Sequence, residues 1–204
     1  MFNYLELSGT LGIDNILDFW FPKDEQGVPS LSSCNRLWYT KDNKVDQLIR
    51  ESFSSDWQNA VNGVYPNYVK TPRGCLALVV LLDQFPRNMF RFNAGSFASD
   101  ELALSVTNTA ISNYFDKDLS LVERSMLYMP LMHSESLRVH ENISIPKFKS
   151  LADESTDYEG AYKYEIMHAN IIRKFGRYPH RNEILNRVST VDEIEFLKQP
   201  GSSF

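Results

Sequence analysis

Cysteine is scarce in this chain of 204 residues: Cys34 and Cys75 are the whole complement. At most one disulfide could form, and a chain of this length needs none to stay folded. A reducing compartment follows, and the expected location is cytoplasmic. Long apolar runs are missing too. The longest, Cys75–Leu82, covers less than half of the roughly 20 residues that a bilayer-spanning helix requires, so no membrane is expected as a partner. Basic excess is absent: a net charge of -5 and a pI of about 5.4 make the molecule repel polyphosphate, which argues against nucleic acid. Residues 1–12 carry Glu6 and no basic residue ahead of their short apolar positions, so the charged start of a secretory signal is missing.

Signatures of known chemistry are equally thin. No Gly-x-Ser-x-Gly elbow and no glycine-rich phosphate loop occur, and neither cysteine sits in a nucleophile motif. Acyl transfer and nucleotide chemistry therefore lack support. His133, His140 and His168 form no i, i+4 pair of the kind zinc peptidases use, and neither a metal nor another cofactor is expected.

What is present is the composition of a globular protein: 43% hydrophobic and 23% charged residues exclude disordered, collagen-like and coiled-coil classes. Surface scaling hides about 70% of the unfolded area at this length, enough for a real core. A single domain over 1–204 is the expectation.

The apolar periodicity is helical throughout. Val45, Leu48, Ile49, Phe53, Trp57, Ala60 and Val61 recur at three- and four-residue steps between an Asp42 cap and a Gly63 stop. Thr71-Pro72 caps and opens a helix that is apolar on every side until Pro86 ends it, and such a helix belongs at the centre. The run from Phe97 through Tyr114 continues the period. Ser120 to Glu123 is a capping box whose helix Pro130 closes. Residues 134–151 read as a helix that Pro146 kinks or splits, and 158–175 as one that Gly176 stops. A short helix over 182–187 leads to a second capping box, Thr190 to Glu193. Residues 22–33 read as a surface loop, and Phe19-Trp20-Phe21 as the anchor of the first helix, 13–20. No segment alternates with period two. The fold class is all-α, an antiparallel helical stack.

Two polar turns follow helix C-termini. The first, 83–91, holds Asp83, Gln84, Arg87, Asn88 and Arg91; the second, 173–182, holds Arg173, Arg177, Arg181 and Asn182. Residues 81–87 and 171–177 echo each other, with paired aliphatics, Phe, one residue, then Arg. Arginines in a last turn bond orphan carbonyls and suit the negative end of the helix dipole. Guanidinium forks also match carboxylate and phosphate, and a convergent set would make an anion recess. His133-Ser134-Glu135, His140 with Glu141, and His168 are the remaining candidates. His133, ahead of a Ser134 cap, is expected at a helix N-terminus, where a neutral imidazole is favoured. His168 lies on an apolar helix face, where a core histidine satisfied by one hydrogen bond is the plainer alternative.

Four blocks, Ile16 to Pro22, Leu81 to Asn88, Tyr128 to Glu135 and Phe175 to Asn182, together resemble the bacterial family catalogued as domain of unknown function 924. The resemblance covers nearly the whole chain. It implies an all-helical fold grouped with the tetratricopeptide-like superfamily, and no established activity. The chain departs from the family pattern at His140, where members often carry glutamine, at Pro146, and at Asn186, which replaces a glycine.

The leading expectation is a binding module in which Asp83, Gln84, Arg87, Asn88, Arg91, Arg177, Arg181, Asn182 and the His133 to Glu135 corner hold a small carboxylate or phosphate. Charges beside wholly apolar helices demand partners, and Asp83, Asp100 and Glu135 are the internal alternatives. An enzyme, a hydrolase or lyase with His133 or His168 as base, Glu135 as its orienting partner and Arg177 or Arg181 as stabiliser, is the first rival. A tetratricopeptide-type scaffold for an acidic peptide is the second. The sequence leaves the oligomeric state open.

Overall fold

The structure is a computed structural model that describes residues 12–203, so most of the 1–12 stretch lies outside the described residues. The chain is all-helical. Among the described residues the β structure is one isolated bridge, Lys23 to Pro29. Contacts gather the chain into two compact units, Met1–Arg91 with Gly95–Pro130, and Phe92–Ala94 with Leu131–Phe204.

The first unit is built on α4 (Pro72–Val79), against which α1 (Ile13–Trp20), α6 (Asp100–Ser112) and α7 (Leu121–Leu127) pack, while α3 (Asn43–Val61) packs against residues 80–89 that continue it. Thr71 caps α4 by accepting from the Gly74 N–H, and every residue from Cys75 to Leu82 is buried. Gly74 is obligatory here: a Cβ would stand 2.2 Å from the Tyr68 carbonyl oxygen. Asp42 caps α3 as its spacing predicts. Trp20 and Phe21 are buried, and Phe19 and Trp20 pack edge-on against Phe85, so the aromatic triplet does anchor α1. The loop is shorter than its composition suggests, because Ser30 forms a capping box that opens α2 (Leu31–Tyr39). Cys34 and Cys75 are both buried free thiols, and burial pushes each up to about 11.

Pro86 does not end its helix. Proline lacks the N–H that would bond the Leu82 carbonyl. The chain instead widens into a π turn over Val80–Gln84, in which the Phe85 N–H donates to the Val80 carbonyl, and continues as α5 (Phe85–Met89). The carbonyl that Pro86 cannot serve accepts from the Ser99 hydroxyl at 2.6 Å, and Ser99 in turn accepts from the Trp57 indole N–H.

The second unit begins within α8 (Met129–His133), which holds Pro130 near its start; α7 had already ended at Leu127, two residues earlier than a proline stop requires. A single turn, α9 (Leu137–Val139), runs into a second π turn, His140–Ser144, whose Ile145 N–H donates to the His140 carbonyl. Pro146 sits in the first turn of α10 (Ile145–Glu154), so it splits the helix by the same device as Pro86. The structural echo of residues 80–86 is therefore 140–146. Residues 171–177 instead finish α11 (Glu159–Phe175), stopped by Gly176 at φ 70°. Ile171, Ile172 and Tyr178 form a core with Leu137, Phe175 and Phe196 against it. The expected helix over 182–187 does not form: residues 182–186 are turn, and Asn186 takes a left-handed φ of 53°, which breaks helical continuity. Thr190 and Glu193 form the second capping box, opening α12 (Val191–Leu197).

Ser99→Ala should leave the buried Leu82 carbonyl unserved and cost about 1–3 kcal/mol, read as a lower urea midpoint with unchanged slope.

Candidate functional site

The two arginine turns lie in different units. In the first, Arg87 forks onto both oxygens of Asp100 at 3.0 and 3.1 Å and stands 3.3 Å from Asp83, while Gln84 donates to the other Asp83 oxygen. Arg91 donates twice to Asp46 at 2.6 Å, and Asn88 donates to the same carboxylate at 2.9 Å. Burial opposes ionisation of Asp46, but these donors outweigh it and hold the carboxyl below its ordinary range. Of the internal partners expected for this turn, Asp83 and Asp100 are both used, and Asp46 is an addition from α3 that local spacing could not reveal.

In the second unit the pieces that sequence singled out separately do come together. Their meeting point is Tyr178, which is fully buried. Its N–H donates to Glu135 at 2.8 Å, and its hydroxyl donates to the Met132 carbonyl at 2.5 Å. Arg181 stands over its ring, 4.7 Å from the centroid, and donates to the His133 carbonyl at 3.1 Å. The His168 and His180 rings lie 5.6 and 5.5 Å from the tyrosine ring. His140 is beside it as well, with Nε2 3.2 Å from the phenolic oxygen. The chain has four histidines. All four belong to this unit, and His133, His140 and His180 each act on His168.

The histidines differ in their hydrogen bonds. His140 is completely buried; its Nε2 faces the Ser134 carbonyl at 2.8 Å and therefore carries a proton, and its Nδ1 meets Glu165 at 2.7 Å. Glu165, equally buried on α11, was not among the sequence candidates; Glu141, which was, pairs with Arg173 at the surface. His168 donates from Nδ1 to the Tyr164 carbonyl one turn back, and burial, with the other three imidazoles, pushes it down to about 3. His180 falls to about 4, through burial first and then Arg181, with His133 and Arg187 acting the same way and Glu135 opposing. His133 closes α8 rather than opening a helix, because Ser136, not Ser134, precedes the next one; an imidazolium, not a neutral ring, is what a helix C-terminus favours.

Glu135 is claimed by an arginine outside the predicted turn. Arg187 forks onto it at 2.7 and 3.0 Å and also donates to the Tyr178 carbonyl. Burial would raise Glu135, but Arg187 and the Tyr178 N–H together hold it low. Arg177 forks onto Glu193 at 2.6 and 2.8 Å, which brings that carboxyl down to about 2. The Asn182 amide donates to Ser189. Tyr178, His180, Arg187 and Glu165 are thus what the sequence reading missed. The count of histidines was the available signal, since four rings confined to residues 133–180 have few places to go.

Among the described residues no group of three or more His, Cys, Asp or Glu side chains is placed to hold a metal ion, and no helix is long and apolar enough to cross a membrane.

A family profile described as "Bacterial protein of unknown function (DUF924)" matches residues 16–201. The chain is also similar to a solved structure, a protein of unknown function from Agrobacterium tumefaciens, at 28% identity and a TM-score of 0.77, over 91% of this chain and 96% of that one. No curated protein matches.

The neutral state of His168 links stability to pH. Unfolding returns the ring to its ordinary 6.5, so the unfolded chain binds the extra proton below that value. Its contribution is whole above about pH 6.5 and is lost as the pH falls toward the folded value, by about 1.4 kcal/mol per pH unit. Urea midpoints measured between about pH 7 and pH 4.5 should fall for the wild type, and His168→Gln should flatten that slope.

Proposed function

The chain belongs to the DUF924 family of bacterial proteins, and we propose that it is a binding module whose second unit takes a small anion at the His133, His180 and Arg181 edge of the Tyr178 cluster. The observation that carries this reading is the state of His180. Burial is the first cause that lowers His180, and beyond it the charges alone point the same way: Arg181, His133 and Arg187 together oppose its protonation more than Glu135 favours it. A positive potential that disfavours a proton favours an anion at the same place. His133 and His180 are only half-buried, so a ligand can reach the cluster from their side. The arginines of the first unit support no such reading, because Arg87 and Arg91 already meet Asp100, Asp83 and Asp46.

Arg181 and His180 bind the anion in this proposal, Glu135 and Arg187 hold the backbone of Tyr178, and the Tyr178 ring sets the position of both binders. His168 is a packing residue with its Nδ1 committed to the helix backbone, which weighs against its use as a base.

Titration with acetate, followed by the imidazole carbon and proton resonances of the four histidines, tests the assignment. Resonances of His133 and His180 should move with a common dissociation constant, and Arg181→Ala should weaken binding by about tenfold or more, the worth of a charge-assisted hydrogen bond. No movement at either histidine up to saturating acetate, or an unchanged affinity in Arg181→Ala with its fold intact by circular dichroism, sinks the proposal.

A further inference from the structure

The amphipathic pattern of α12 is inverted. A surface helix ordinarily turns polar residues to water and apolar ones to the core. Here the residues facing the rest of the second unit are Glu193, buried and engaged by Arg177, and Phe196, whose ring lies 5.1 Å from that of Phe175. The residues facing water are Val191, Ile194 and Leu197, at three-residue steps that keep them on one side of the helix. Val188, just ahead of the helix, extends the row. Val188 and Val191 are 88% and 82% exposed, and Ile194 is 49% exposed. Scattered apolar side chains on a surface need no explanation, whereas a contiguous row marks a contact surface. The row continues across the end of the chain. The Ser202 hydroxyl donates to the Leu197 carbonyl, which folds the tail back, and a Cβ on Gly201 would stand 3.8 Å from the Cε methyl of Met167, an exposed residue of α11.

The charges beside the row decide what fits it. Asp192 stands in the first turn of α12 and Lys198 directly after its last, and both are exposed. Lys198 pairs with Glu195 at 2.7 Å, with about two-thirds of each side chain in water, so the pair is worth little and is easily exchanged. A second α12 laid antiparallel over the first, with Ile194 at the centre, sets Val191 against Leu197 and brings Lys198 to Asp192 at both ends. The two helix dipoles then oppose each other, and a twofold axis makes every contact occur twice. An anionic lipid surface would meet Asp192 and Glu195, which repel it. We infer that this face is an interface between two copies of this chain, docked through antiparallel α12 helices. A standard interface takes about 800 Å² from each partner, more than five apolar side chains supply, so the dimer is weak, with a dissociation constant of about 10–100 μM. None of these residues belongs to the His133, His180 and Arg181 edge, so the dimer and the anion site stand or fall separately.

Sedimentation equilibrium of the full chain, from about 5 μM to about 500 μM, brackets that constant and reads the association. The average mass should climb with concentration from 23.6 kDa towards twice that value. Val191→Asp and Ile194→Asp, both at exposed positions and each shown folded by circular dichroism, should hold it at the monomer. Asp192→Lys and Lys198→Glu move the net charge in opposite directions, yet each should weaken association about three- to tenfold, because each breaks the same two surface pairs. The two combined should restore it, since the pairs re-form with their signs exchanged. A chain that stays monomeric to about 500 μM overturns the inference, as does a dimer that survives Ile194→Asp unchanged. Single charge variants that weaken association with no recovery in the combined variant overturn the antiparallel docking.

Discussion

Two missing N–H groups organise this molecule. Pro86 and Pro146 each follow a π turn by two residues, and each turn exists because a helix that passes through proline must leave one carbonyl without its usual donor. The wider turn rotates the residues after it, and both turns carry polar side chains inward. Asp83 and Gln84 are buried at the first, His140 and Ser144 at the second. At the first, the released carbonyl is taken by Ser99, which fastens the start of α6 to the central helix. At the second, His140 is brought against Glu165 of α11 and the hydroxyl of Tyr178. The inward polar side chains of these two turns thus trace to one covalent fact about proline.

Within the second unit, burial does more than charge to set protonation. His168 and His180 are lowered first by loss of water and only then by their neighbours. Carboxylates in the same unit behave oppositely: Glu135 stays ionised despite its surroundings, because it has Arg187 and a backbone N–H to bond. Of the buried and half-buried carboxylates here, Glu135 is engaged by Arg187 and the Tyr178 N–H, and Glu165 by His140. Tyr178 is the element that makes this arrangement possible, since its backbone binds the ion pair while its ring supplies a face to Arg181 and edges to the histidines.

Periodicity and caps were enough to place most helices. Asp42, Thr71-Pro72, Ser120 with Glu123, Gly176, and Thr190 with Glu193 all act where their residue types say they should. The errors have a common origin. Pro86 reads as a stop because the rescue of Leu82 by Ser99, 17 positions away, is not a local property. Residues 182–187 read as helix from their residue types, although Asn186 takes a left-handed φ of 53°, a conformation that favours glycine. The candidate site was half legible: His133, Glu135, His168 and Arg181 do converge, but the partner of Glu135 is Arg187 and the partner of His140 is Glu165, pairings across 52 and 25 residues that no spacing rule anticipates.

The two thiols have a practical bearing of a different kind. Cys34 and Cys75 are sealed in the first unit and hold their protons to about 11, so at neutral pH neither presents the thiolate that alkylating and oxidising reagents attack. The natural protein is in effect a cysteine-free background. A cysteine introduced on an exposed position of the second unit would be the one group a maleimide dye finds, and fluorophores or spin labels could be set beside Tyr178 without first removing the native sulfurs.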